Sequence, residues 1–171
     1  MNHEITETHA YARHLLREHR RLHQMLRRVE ESWPAAESAR EDAVLIGRLL
    51  TAVEELRGEL AKHFAEEESG GVLEEAVARE PGLGPEESRL MQEHASLLSD
   101  LDEVIAGLRS AQSAGQLTGE LEQQFQSFTK RLHGHEAAEN RILAEGFRIE
   151  VNGNPLRKKR GEGTAIVANP R

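Results

Sequence analysis

The stretch "RLHGHEAAENRIL" places His135 and Glu139 four residues apart, and "AKHFAEEES" repeats the pattern with His63 and Glu67. On an α-helix, positions i and i+4 differ by about 40° around the axis, so each pair shares one face, a turn apart. Imidazole nitrogen and carboxylate oxygen are donors suited to iron, manganese or zinc. A second repeat carries one more histidine per half. "EHRRLHQMLRRV" and "EHASLLSDLDEV" share E-H-x-x-L-x-x-x-L-x-x-V, with His19 and His94 at corresponding places. The chain therefore reads as two helical hairpins, each offering one histidine and then one His-x-x-x-Glu pair.

Four segments with apolar residues three and four apart must position these groups. The first uses Ala12, Leu15, Leu22, Leu26 and Val29 and ends near "SWPAAES", where Pro34 cannot continue a helix. The second is expected to start at Ser38, with Glu41 completing a capping box, and to run through Leu49, Val53, Leu56 and Leu60. One short helix is expected around Leu73–Val77, between "SGG" and "PGLGP". The third opens at Pro85, a good first-turn residue, and uses Leu90, Leu97, Leu101, Val104 and Leu108. Thr118 is the expected cap of the fourth, whose stripe is Leu121, Phe125, Phe128, Leu132 and Ile142. The fold class is all-α, an up-down-up-down four-helix bundle over residues 1–148.

Each stripe has a gap, and the gaps hold the reactive residues. His19 continues the first stripe, His63 and Glu67 the second, His94 the third, and His135 and Glu139 the fourth. A buried unpaired carboxylate costs several kcal/mol, roughly, and two facing each other cost more. No Lys or Arg lies on the stripes to offset them, whereas a pair of divalent cations would. Taken singly, an inward histidine is more often a hydrogen-bonded core residue, and a His-x-x-x-Glu more often a surface pair. Repetition in both halves favours metal. The spacing to the helix ends fits well in the second hairpin. In the first, His63 lies about 36 Å from Ser38 against about 18 Å for His19 from its break, so an extended connection must climb the difference.

Composition agrees with a helical protein. The 171 residues are 37% hydrophobic and 30% charged, with four Phe, one Trp and one Tyr. The absence of cysteine excludes disulfides, thiolate metal sites and iron–sulfur clusters. A formal net charge of −8 argues against nucleic acid as a general partner. The amino-terminal stretch is too polar for a signal peptide and no apolar run reaches about 18 residues, so a cytoplasmic protein without a membrane span is expected.

With these residues in place, the chain resembles the hemerythrin-like, or HHE cation-binding, family of non-haem di-iron four-helix bundles, across roughly residues 10–146. The resemblance rests on "EH..L" in the first and third helices, "HFAEE" in the second and "HEAAENRIL" in the fourth. It implies His19, His63, His94 and His135 as terminal ligands of two irons, with Glu67 and Glu139 bridging them beside an oxo or hydroxo group. The pattern looks closest to bacterial proteins implicated in iron–sulfur centre repair and to the iron-sensing eukaryotic branch. Oxygen-carrying hemerythrins differ, with H-x-x-x-H on the third helix and an Asp on the fourth. Here those places hold Leu98 and Glu139. The 171 residues also hold no cysteine to match the amino-terminal cysteine of some repair proteins.

On this ligand count, about two coordination positions on two octahedral irons stay open. His23, four residues after His19, is a candidate fifth imidazole that would leave one. His133 and His14 point away from the stripe, and Glu66, Glu68 and Glu136 are expected to be solvated, with an outer role open to one of them. The functions implied are binding of O2, NO or a related small oxidant as carrier, sensor or scavenger; an enzyme acting on peroxide or supplying iron for repair; or a structural, zinc-holding bundle. Residues 149–171, with "VNGNP" and "RKKR", are read as a non-helical basic tail dispensable for metal.

Overall fold

The computed structural model describes residues 2–34 and 40–148, the side chains of 2–9 and 11 excepted. Five α-helices account for most of these: α1 (Asn2–Ser32), α2 (Ala43–Gly70), α3 (Val72–Arg79), α4 (Gly84–Ala114) and α5 (Gly119–Phe147). A 3-10 turn, Pro81–Leu83, joins α3 to α4. There is no strand among the described residues. The four long helices form a ring in which α1 meets α2, α2 meets α4, α4 meets α5, and α5 returns to α1.

Cross-helix ion pairs give the sense of the packing. Along α2 and α4, Glu54 pairs with Arg109, Arg57 with Asp102 and Glu68 with His94, so one helix ascends as the other descends. Arg131 with Asp100, and Arg141 with Glu86, give the same antiparallel order for α4 and α5. The pairs Arg21–Glu59 and His14–Glu66 repeat it for α1 and α2.

Every apolar residue assigned to the four stripes is buried. Full burial of a Leu or Phe side chain contributes roughly 1.5–3 kcal/mol, so the stripes supply most of the drive to associate. The core nevertheless divides in two. One cluster runs from Leu22, Leu60, Leu97 and Leu132 toward Trp33, Ile46, Ala111 and Leu117. The other gathers Ala12, Leu15, Leu90, Ile142, Leu143 and Phe147 around Val72, Leu73 and Ala76 of α3. Between them, on every long helix, lie the histidines and glutamates that interrupt the stripes.

The start of α2 differs from expectation. Asp42 is its cap, accepting hydrogen bonds from Val44 N at 2.8 Å and Leu45 N at 3.2 Å. Ser38 lies outside the described residues. The later start removes much of the depth mismatch: His63 is now about 30 Å from the first residue of α2, and His19 about 20 Å from the end of α1. At the other helix starts, Pro85 sits in the first turn of α4 as expected, while Thr118 precedes α5 without a side-chain capping bond. The residues just before α2 are tied to the chain before α5 by Leu117 N donating to Arg40 O at 2.9 Å, and to α5 itself by the Arg40–Glu122 pair. The carboxy-terminal stretch 149–171 lies outside the described residues.

Candidate metal centre

His19, His63, Glu67, His94, His135 and Glu139 converge in the layer between the two apolar clusters, each no more than 4% exposed. They form two groups, His19, His63, Glu67, Glu139 and His94, His135, Glu67, Glu139, in each of which the donor atoms lie within 4.8 Å of one another. Both groups contain both carboxylates.

The two glutamates divide their oxygens between the groups. Glu67 Oε1 lies 3.2 Å from His63 Nε2 and 3.5 Å from His19 Nε2, while Oε2 lies 3.5 Å from His94 Nε2. Glu139 Oε1 lies 2.9 Å from His135 Nε2 and 3.8 Å from His94 Nε2, while Oε2 lies 3.4 Å from His19 Nε2. Donors held about 2.1 Å from one ion are about 3.0 Å apart at right angles and about 3.4 Å apart at a tetrahedral angle. The contacts span that range.

Hydrogen bonding supplies an independent test of fit. The inward Nε2 of all four histidines, and all four carboxylate oxygens of Glu67 and Glu139, are buried and, among the described residues, meet only one another, in contacts that make no well-formed hydrogen bond. Unsatisfied buried polar atoms are rare and costly, and here they are concentrated in one place on atoms of metal-donor type. The outward nitrogens are largely satisfied. His19 Nδ1 meets Asn140 Oδ1 at 3.1 Å, His94 Nδ1 meets Glu68 Oε1 at 2.9 Å, and His135 Nδ1 meets Glu93 Oε2 at 3.1 Å. An oxygen acceptor there makes Nδ1 the protonated nitrogen and leaves Nε2 with its lone pair facing inward.

Without metal, the charges lean on one another. Burial opposes ionisation of Glu139, yet His135, His19 and His94 hold its carboxyl well below the usual carboxylate range. Burial likewise disfavours a charged His19, but Glu139 and Glu67 outweigh it and push the ring up to about 10. His94 and His135 shift upward against the same opposing burial, the first through Glu139 and Glu68, the second through Glu139 and Glu93.

His23 does not join either group. Its side chain is 44% exposed and Nε2 faces Glu136 Oε2, with the ring edge-on to His133 at 4.7 Å. The geometric reason is the 40° step per i+4 spacing: it carries His23 from the bundle axis onto the seam between α1 and α5. Glu136, expected to be solvated, is buried beneath it at 2% exposure. Glu68 does face outward but holds His94. Asn140 and Glu93 were missed from sequence; a signal existed, since Glu93 directly precedes His94 and Asn140 directly follows Glu139.

The Hemerythrin HHE cation binding domain family matches residues 10–145. No curated protein and no solved structure matches the chain.

Proposed function

Because the chain belongs to the hemerythrin HHE cation-binding family, we propose that it is a non-haem di-iron protein that binds O2, NO or a related small oxidant as carrier, sensor or scavenger. The observation that carries this reading is the division of oxygens: Glu67 and Glu139 each turn one carboxylate oxygen to each histidine pair. His19 and His63 would hold one iron, His94 and His135 the other, with both glutamates bridging. Bound irons would supply redox-active coordination positions left open by this ligand set.

The chain's own part is to orient the donors and exclude competing water. Asn140, Glu68 and Glu93 fix three imidazoles, and the apolar clusters close the centre above and below. A surface depression of about 510 Å³ between α4 and α5, lined by Arg89, Glu93, Leu97, Lys130, Arg131 and His135, lies beside the contact of Glu93 with the outward nitrogen of His135. Among the described residues no helix is long and apolar enough to cross a membrane.

Protein produced with iron should carry about two irons per chain and show ferric charge-transfer absorption. One zinc per chain without iron bands would overturn the proposal in favour of a structural ion. After reduction, exposure to O2, NO and peroxide separates the remaining functions. A persistent spectral change with O2 or NO supports binding, whereas many turnovers of peroxide loss would make the protein an enzyme.

A further inference from the structure

The four histidines differ in what holds their outward nitrogens. His94 and His135 each donate Nδ1–H to a carboxylate, Glu68 at 2.9 Å and Glu93 at 3.1 Å. His19 donates to the neutral amide oxygen of Asn140 at 3.1 Å. His63 Nδ1 is buried with no hydrogen-bond partner among the described residues. An outer carboxylate fixes the ring and makes its inner nitrogen a stronger donor to metal; an amide does this less, and an unpartnered ring lacks the effect.

Among the described residues Phe64 packs against histidines of both positions, nearest to His94 and farthest from His63, at 6.0 Å. Phe64 stacks on His94 with ring centroids 4.0 Å apart and planes 4° from parallel, and meets His135 edge-on at 5.5 Å. Arg89 pairs with the other oxygen of Glu93, holding that carboxylate against His135. Since Glu67 and Glu139 serve both positions, any difference between the positions must arise from the histidines and their supports.

We infer that the two metal positions are unequal: the one between His94 and His135 fills first and holds its ion more tightly, and the one between His19 and His63 fills second and empties first. The inference rests on the binuclear reading above and adds an order of assembly to it. Glu68 and Glu93 act as positioning residues for metal capture, through the imidazoles they hold.

Zinc titration of the metal-free full-length chain tests it without any activity assay. Calorimetry should resolve two steps, and anomalous scattering from crystals carrying one equivalent should place the ion between His94 and His135. Equal occupancy, or first occupancy between His19 and His63, would overturn the inference. The double variant Glu68→Gln, Glu93→Gln should weaken the first step by about 10–100-fold, the usual effect of losing an outer partner. Asn140→Asp should tighten the second step and narrow the gap. A first step that the double variant leaves unchanged also overturns the assignment. Binding of fewer than two ions in total would remove the binuclear reading, and the order of filling with it.

Discussion

At the scale of single residues, the centre combines two carboxylates that metal would bridge with imidazoles that protons can also claim. Glu67→Ala or Glu139→Ala should abolish binuclear loading, read as metal per chain by elemental analysis; retention of both ions would contradict a bridging role. His23→Ala should leave that count unchanged, because its ring faces Glu136 on the α1/α5 seam. Competition with protons sets a pH dependence. A histidine raised on folding contributes stability that is full below its unfolded value and lost as pH climbs through its folded one. For His19 that window runs from about 6.5 to about 10. Metal-free protein should therefore melt at progressively lower temperature across this range. Metal affinity should rise over the same interval as fewer protons need displacing. A flat metal-free melting curve from pH 6 to 9 would refute the coupling. All six central residues were legible in the sequence because burial of charge on a periodic stripe is conspicuous. The place of His23 was not, since a 40° step lands either inside the ring or on a seam according to how the neighbouring helix sits.

At the scale of elements, α3 closes one end of the bundle through contact too close for an ordinary side chain. A Cβ at Gly146 of α5 would lie 2.5 Å from Ala76 Cβ and 2.8 Å from Ala76 O, so glycine is what lets the two helices meet. Gly146→Val should cost about 1–3 kcal/mol by overpacking, measured as a lowered denaturation midpoint. Gly58→Ala, where the added carbon meets nothing within 4 Å, is the matched control and should be neutral or stabilising. Helix identity was legible here from periodicity and from the "SGG" and "PGLGP" breaks; the structure adds that Gly71 and Gly115, at positive φ, end α2 and α4. Helix starts were less so. Asp42 and Ser38 are both of cap-forming type, so residue chemistry alone did not single out Asp42, which caps α2.

At the scale of the whole molecule, the polar layer interrupts the apolar core on all four long helices, so the bundle holds two cores. In the metal-loaded protein, amide hydrogen exchange along α1, α2, α4 and α5 should be slow on both sides of the layer. Stripping the ions with a chelator should speed exchange around Leu73, Leu90 and Ile142 more than around Leu56, Leu101 and Phe125, where the larger cluster packs. Uniform acceleration would show a single cooperative block. Such a division makes the ion pair a mechanical rivet: while it is seated the halves of the bundle share one fate, and once it is drawn the end closed by α3 is free to loosen. A protein built this way would announce metal loss as a change of shape at one pole, legible to whatever touches that pole.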